Sequence, residues 1–348
     1  MNGRAWTGRA AKAAVALLVL VLLYVVLRNI GFRSILAQVR GLKPVSLAAA
    51  AVLYLATFLL GCLRWQQLMK RQDRKRLAAL LPLYMANIFG NVVTPGARVG
   101  GEPIRAYYMS KKYGGEASAY FGTILADKLG NGAVFTGFLV LSVIFVVFFV
   151  PMALIPKLIV AAALLVVPVV LVAGFLLHRH AGARFPLLRK ALPAIYHNAP
   201  LDSLRRRFPT AEHFEEYVIR KLDNVITPVA DAAGSPRTIA KVVAISSAAW
   251  LLFCLANYIL FAELGADVGF LKVLVIVTIS TFFGDVSVTP GGAGFIEAAM
   301  LGLCSAFGVQ PDTAAAVTLI SRGLYYLCGL GVGGLCLGGL IVVYGRRT

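Results

Sequence analysis

Long apolar runs limit what this chain can fold into more than any other feature of the sequence. A helix needs roughly 20 apolar residues to cross about 30 Å of hydrocarbon, and six runs approach or exceed that length. These runs are residues 13–27, 45–63, 117–150, 158–177, 242–262 and 314–343. None alternates between apolar and polar residues as a barrel strand would. Because backbone groups in lipid must pair within the protein, the sequence predicts an all-α integral membrane protein with about six transmembrane helices.

The composition agrees with a membrane location and argues against nucleic acid as a partner. Of the 348 residues, 59% are hydrophobic and 14% are charged, which leaves too little polar surface for a soluble protein of this size. The net charge is +19, and 17 of the 34 lysine and arginine residues lie in the segments 64–76 and 179–241. Such clusters are typical of cytoplasmic loops beside anionic lipid, so we expect membrane lipids as partners.

The placement of lysine and arginine also predicts an orientation in the cell membrane. If the N-terminus lies in the cytoplasm, the basic segments 64–76 and 179–241 lie there too, together with the C-terminus. The outer connections 151–157 and 263–271 then contain one lysine between them. This distribution follows the positive-inside rule, with the first outer connection and its four basic residues as the exception.

A polar segment in the middle of the chain, residues 179–240, is predicted to be a cytoplasmic amphipathic connector. Within it, apolar side chains recur at helical spacing along one stripe. The stripe consists of Phe214, Val218, Leu222, Val225 and Val229. The helix is either a solvated linker or a docking surface for a partner, and it is too small to be a catalytic domain.

Two passages of the sequence repeat one another at a fixed distance. Residues 89–96 read FGNVVTPG and residues 283–291 read FGDVSVTPG, and from Thr-Pro-Gly onward the shift is 195 residues. The same shift carries Glu102 onto Glu297. A shared shift over about a hundred residues indicates an internal duplication rather than chance similarity.

The duplication divides a single membrane domain, residues 1–348, into half-repeats at about 45–150 and 240–345. With the orientation above, the halves enter the membrane from opposite sides, so the repeat is inverted, as in many transporters. The segments 77–113 and 271–308 are predicted to be re-entrant hairpins. The alternative is that they span the membrane fully, which would place the basic residues after the first segment outside.

Each predicted hairpin is broken by proline and glycine, at residues 95–96 and 290–292. The half-helix that follows begins with unpaired N–H groups and a positive partial charge, which suit an anion such as phosphate. The candidate headgroup-binding residues are the glycines and arginines near these breaks. They are Gly96, Arg98, Arg105, Gly291, Gly292 and Arg322. The alternative is that the hairpins only pack.

Further ionisable residues occur where lipid should exclude them, at a cost of about 2.5–3.5 kcal/mol at the bilayer centre. They are Glu102, Asp127, Lys128, Asp285 and Glu297. We interpret them as groups that orient the arginines or couple transport to an ion or a proton. The alternative for each is a structural ion pair.

Catalytic and metal-binding patterns are missing from the sequence. The four histidines have no accompanying carboxylate or cysteine cluster, and the five cysteines form no CxxC pair. There is no P-loop, no GxGxxG and no defensible Ser-His-Asp spacing. We therefore expect no catalytic residue, no metal and no cofactor.

The motifs at 91–108 (NVVTPGARVGGEPIRAYY) and 288–300 (VTPGGAGFIEAAM) resemble the flippase-like transmembrane family. That family is named for the membrane region of lysylphosphatidylglycerol synthase, the multiple peptide resistance factor. The resemblance extends from about residue 45 to 343 and implies movement of a lipid between leaflets. It places the following residues in family motif positions: Arg98, Glu102, Arg105, Glu297 and the acidic-basic pair Asp127-Lys128.

The resemblance also shapes the expected cargo. Many family members carry an aminoacyl-transferase domain, and this chain stops at Thr348 without one. We therefore expect a stand-alone transporter of an anionic phospholipid or a polyprenyl-phosphate-linked lipid. A glycosyltransferase or another lipid-modifying enzyme is its expected partner. The alternatives are a membrane-embedded lipid-phosphate transferase and an accessory or scaffold protein.

Overall fold

The computed structural model describes residues 41–70, 73–94, 100–150, 191–196, 208–287 and 289–345. Within these ranges the regular structure is helical and contains no strand, which confirms the all-α class. The predicted spans at 13–27 and 158–177 lie outside the described residues. The four other predicted spans are all long apolar helices.

The four long helices begin and end as their sequences require. We number the helices in chain order, and the long ones are α1 (Pro44–Leu68), α4 (Ala117–Phe149), α6 (Pro236–Glu263) and the continuous span Pro311–Tyr344. Three of them start with proline, whose missing N–H costs nothing in the first turn. Large apolar side chains cover their outer faces, and Phe148 is 75% exposed. Such a surface suits lipid rather than water.

The last long helix changes its winding along its length. It consists of α9 (Pro311–Tyr326), a π-helical segment (Leu327–Val332) and α10 (Gly333–Tyr344). Added side chains at Gly329 or Gly333 would lie very close to α2 (Leu77–Val93). These glycines therefore let the two backbones approach, as small residues do between membrane helices.

The two predicted hairpins are built from shorter helices. The first contains α2 (Leu77–Val93) and α3 (Gly101–Tyr113), and the second contains α7 (Phe270–Val286), a 3₁₀ turn (Pro290–Gly292) and α8 (Phe295–Ala306). Each helix is 17 residues long or shorter, below the roughly 20 residues of a full span. Whether the hairpins re-enter or cross the membrane stays a prediction.

The helices follow the internal duplication. A shift of 195 residues carries the bounds of α4, 117–149, onto 312–344, and the observed span is Pro311–Tyr344. The first helices of the two halves, α1 and α6, pack against each other. Each hairpin also packs against the other half, α2 against α10 and α7 against α4. The halves are thus interlocked around a shared interior.

The connector contains α5 (Ala211–Ala233), an amphipathic helix that packs on α4. Thr210 begins it by accepting a hydrogen bond from the His213 N–H. At Gly122 of α4, an added Cβ would lie 2.6 Å from the Asn224 carbonyl oxygen. This close contact joins the polar middle of the chain to the first half.

Candidate functional site

A cavity of about 190 Å³ lies between the two halves. Residues of α1, α2, α4, α6, α7, α8 and α9 form its walls. Two charged residues, Arg64 and Arg322, line it, together with hydroxyl and amide side chains and aromatic rings. Both arginines are at most 7% exposed. A cavity between the halves, with mostly apolar walls and two buried arginines, is therefore the best candidate for a binding site.

Arg322 on α9 holds the broken turn of the second hairpin. Its Nε donates to Glu297 Oε1 at 2.8 Å, and its Nη2 donates to the Gly291 carbonyl at 2.7 Å and to the Tyr326 hydroxyl. Gly291 has φ of +59°, a conformation that favours glycine. Glu297 in turn accepts from the Gly294 N–H at 2.6 Å, so both its oxygens have partners.

Asp127 on α4 joins two buried arginines. Its Oδ1 accepts from Arg64 Nε at 2.7 Å and its Oδ2 accepts from Arg105 Nη2 at 3.2 Å. The Arg105 guanidinium also lies over the Trp65 ring, 4.3 Å from its centroid. Arg64 Nη1 reaches further, donating to neutral oxygens of Asn131 and Ser246 that line the cavity.

Glu102 at the start of α3 is held more loosely. Its Oε1 accepts from Lys128 Nζ at 2.8 Å and from the Asn91 amide at 3.4 Å. Its Oε2 is buried and has no hydrogen-bond partner in the described part of the chain. Asn91 also joins the two helices of the hairpin, because its Oδ1 accepts from the Gly101 N–H at 2.7 Å.

The predicted site residues fall into three groups instead of one. Gly291 and Glu297 both accept hydrogen bonds from Arg322, which lines the cavity, and Gly292 follows Gly291 in the same turn. The other two groups are Arg105 with Asp127, and Glu102 with Lys128. Arg105 is not among the residues that line the cavity, and neither is the half-buried Asp285 at the end of α7. Gly96 and Arg98 lie outside the described residues.

Arg64 is the site residue that the sequence reading missed. We expected it to begin the basic loop 64–76, but the structure places it inside α1 and 5% exposed. The expectation was wrong because a single arginine after an apolar run resembles a flanking residue. Its acidic partner is 63 positions away. The isolated carboxylate of Asp127 was the available signal, since a buried charge needs a partner.

The buried ion pairs also fit the alternative that these charges only stabilise the fold, since each buried carboxylate is neutralised by a neighbour. No group of three or more His, Cys, Asp or Glu side chains in the described ranges could hold a metal ion. The two arginines in the cavity wall offer hydrogen-bond donors for an anion.

Comparison with known proteins gives the chain its relatives. Residues 10–333 match the family described as the lysylphosphatidylglycerol synthase TM region. The chain belongs to this family. A UPF0104 membrane protein of Methanothermobacter thermautotrophicus is 28% identical over 304 residues, covering 84% of this chain and 85% of the relative. A UPF0104 membrane protein of Pyrococcus horikoshii is 26% identical, with 86% of each chain covered.

A third relative, a UPF0104 membrane protein of Methanocaldococcus jannaschii, is 25% identical over 323 residues and covers 87% of each chain. Family membership confirms the resemblance that the motifs at 91–108 and 288–300 indicated. The long apolar helices and the family together identify a multi-pass membrane protein.

Proposed function

We propose that the protein moves an anionic lipid between the leaflets of the cell membrane. The headgroup occupies the cavity between the halves, against Arg64 and Arg322, while the chains of the lipid remain in hydrocarbon. Rocking of one half against the other exposes the cavity to each face in turn. Both termini lie in the cytoplasm in this proposal. The lipid is an anionic phospholipid or a polyprenyl-phosphate-linked lipid, delivered by a lipid-modifying enzyme such as a glycosyltransferase.

The observation that carries this proposal is the position of two buried arginines in one cavity between interlocked halves. A buried guanidinium is costly and is retained where it binds or positions something. Arginine donates to phosphate oxygens with a matching planar fork. Membership of the lysylphosphatidylglycerol synthase TM family supports a lipid as the bound molecule.

Reconstitution into liposomes tests the proposal directly. The protein is incorporated into vesicles that contain a fluorescent phosphatidylglycerol, and an impermeant reductant then destroys the label in the outer leaflet. The proposal expects the remaining fluorescence to fall at least about tenfold faster with protein than in empty vesicles. Arg64→Ala and Arg322→Ala should each lose most of that rate, because each loses a cavity donor.

A matched control is Arg76→Ala, which removes an exposed arginine that precedes α2. It should exchange lipid like the unaltered protein. Equal rates with protein and in empty vesicles would contradict the proposal. Unchanged exchange after loss of both arginines would contradict a headgroup site in this cavity. A change in the mass of the lipid would instead favour a transferase, and exchange that requires an added partner would favour an accessory protein.

A further inference from the structure

The buried charges around the cavity do not cancel. Glu297 neutralises Arg322, and Glu102 pairs with Lys128. Asp127, in contrast, is shared by Arg64 and Arg105, so this cluster carries one carboxylate for two guanidinium groups. All three of its side chains are at most 6% exposed. Among the described residues, one buried positive charge therefore lacks a counterion.

An uncompensated charge in a low-dielectric interior is costly and favours an anion beside it. Arg64 is the member of the cluster that meets the cavity. Among the described residues, its Nη1 donates to two neutral oxygens there, from Asn131 and Ser246. A charged oxygen would be a stronger acceptor for that N–H group than either amide or hydroxyl.

A second polar group in the cavity wall also lacks a partner. The Ser280 hydroxyl is 1% exposed, lines the cavity and makes no hydrogen bond within the described residues. A buried hydroxyl without a partner costs free energy unless a ligand or water completes it. The cavity thus combines one excess positive charge with an unused donor.

We infer that the cluster of Arg64, Asp127 and Arg105 sets the charge of the headgroup that the cavity accepts. It selects a group with one negative charge, such as a phosphodiester, over a group with two, such as a phosphomonoester. A monoanion neutralises the cluster, whereas a dianion leaves a buried negative charge without a partner. This inference rests on the proposed function for its setting, and it concerns binding rather than transport.

Binding of short-chain lipids to the purified full chain tests the inference without any transport step. The two probes are dihexanoyl phosphatidylglycerol, a phosphodiester, and dihexanoyl phosphatidate, a phosphomonoester. At pH 8 the phosphomonoester carries close to two charges, because its second pKa is about 6 in comparable phosphates. Calorimetry should give a dissociation constant about tenfold lower for the diester. The headgroup alone, glycerophosphoglycerol, should bind more weakly, since the ligand is a lipid and not a free phosphate ester.

Three variants change the charge count in known steps. Arg105→Gln cancels the excess charge without touching the cavity lining, and it should weaken diester binding about tenfold. Asp127→Asn raises the excess to two and should shift the preference toward the monoester. The double variant Arg105→Gln with Asp127→Asn restores one excess charge, and the diester preference should return. Arg76→Gln should change neither affinity.

The double variant separates charge from folding, because a merely misfolded protein would not regain binding. The inference is overturned if Arg105→Gln leaves diester affinity unchanged, if the double variant fails to recover it while keeping the unfolding temperature of Arg105→Gln, or if glycerophosphoglycerol binds as tightly as the lipid. Failure of the proposed function gives a different pattern, in which the diester binds selectively but vesicles with protein exchange lipid no faster than empty ones.

Discussion

The two hairpins place a glutamate at equivalent positions but hold it in different ways. In the second hairpin, Glu297 uses both oxygens, one with the buried Arg322 and one with the Gly294 N–H. In the first, Glu102 uses one oxygen, and its partner Lys128 has a side chain that is 38% exposed. Glu297 therefore fixes the second hairpin to α9, whereas Glu102 gives the first hairpin a looser contact with α4 than the buried Arg105–Asp127 pair does.

The residue at the position of Arg322 also has the opposite charge in the first half. The shift of 195 residues carries Asp127 onto Arg322. Where the second half has a cation that pairs with its own glutamate, the first half has an anion that recruits Arg64 and Arg105. Both positions are thus buried and charged, but with opposite signs. In the second half the charge is neutralised by Glu297, whereas the first-half cluster has two guanidinium groups for one carboxylate.

The largest expected effect follows from removing the anion that pairs with Arg322. Glu297→Gln leaves Arg322 buried without its anion, which should lower the free energy of unfolding by about 3–5 kcal/mol. Glu102→Gln should cost less than about 1 kcal/mol, because the partner lysine is partly solvated. Denaturant unfolding of both variants in the same detergent measures the difference. Equal losses would show that the two glutamates are held alike.

The next effect concerns the backbone of the broken turn. Gly292 has φ of +75°, and an added Cβ would lie 2.8 Å from the Gly284 Cα. Gly292→Ala should therefore cost about 1–3 kcal/mol, although the equivalent position of the first half, 97, already holds alanine. Gly302→Ala is the matched control, since that glycine lies in α8 with open space around it. The control should be neutral or slightly stabilising, because alanine favours a helix.

Thermal unfolding of the two glycine variants measures whether the turn conformation at Gly292 causes the loss of stability. A loss of stability in Gly302→Ala as large as that in Gly292→Ala would mean that helix packing, and not the turn conformation, limits both positions.

The long helices of this fold could be predicted from the sequence because they depend on local composition. The run at 117–150 corresponds to α4, Ala117–Phe149, and the run at 314–343 lies within the observed span Pro311–Tyr344. The repeated Thr-Pro-Gly motifs likewise marked the ends of α2 and α7. Apolar length and proline act on the chain within a few residues, so a single sequence is enough to read them.

The site could be predicted only in part, because its pairings are between residues far apart in the chain. The sequence named Glu297 and Arg322 as candidates, and they are neighbours through one pair of helices. It could not show that Asp127 forms an ion pair with Arg64 of α1, nor that Arg105 packs on Trp65 away from the cavity. Those contacts depend on how α1, α3 and α4 pack, which periodicity does not determine.

A smaller effect separates binding from stability in the cavity wall. Ser280→Ala removes a buried hydroxyl that has no partner, so it should leave stability unchanged or raise it by less than about 1 kcal/mol. The same change gives the position the alanine that its equivalent, Ala86, has in the first half, because Phe-Gly at 89–90 and 283–284 are 194 residues apart. It should weaken phosphatidylglycerol binding about threefold, because the hydroxyl can no longer donate to the headgroup. Calorimetry and unfolding on one preparation measure both quantities, and lost stability with unchanged affinity would contradict a ligand role for Ser280.

The smallest expected effect tests an attachment that the first half has and the second lacks. Glu116, before α4, accepts hydrogen bonds from Lys221 and Asn224 of the connector helix α5, while the equivalent position of the second half is Pro311.

The hydrogen bond from Lys221, followed by that from Ser118, lowers the pKa of Glu116 below its usual value despite some desolvation. A lowered pKa in the folded state means that the stabilisation is present above the ordinary glutamate pKa of about 4.3 and is lost as the pH falls through the lowered value. The unfolding temperature of the unaltered protein should thus exceed that of Glu116→Gln by a small amount at pH 6, and the two should converge between about pH 5 and 3. Glu212→Gln, in the first turn of the same helix α5, is the control. A difference that persists at pH 3 would mean that shape rather than charge joins the connector to the first half.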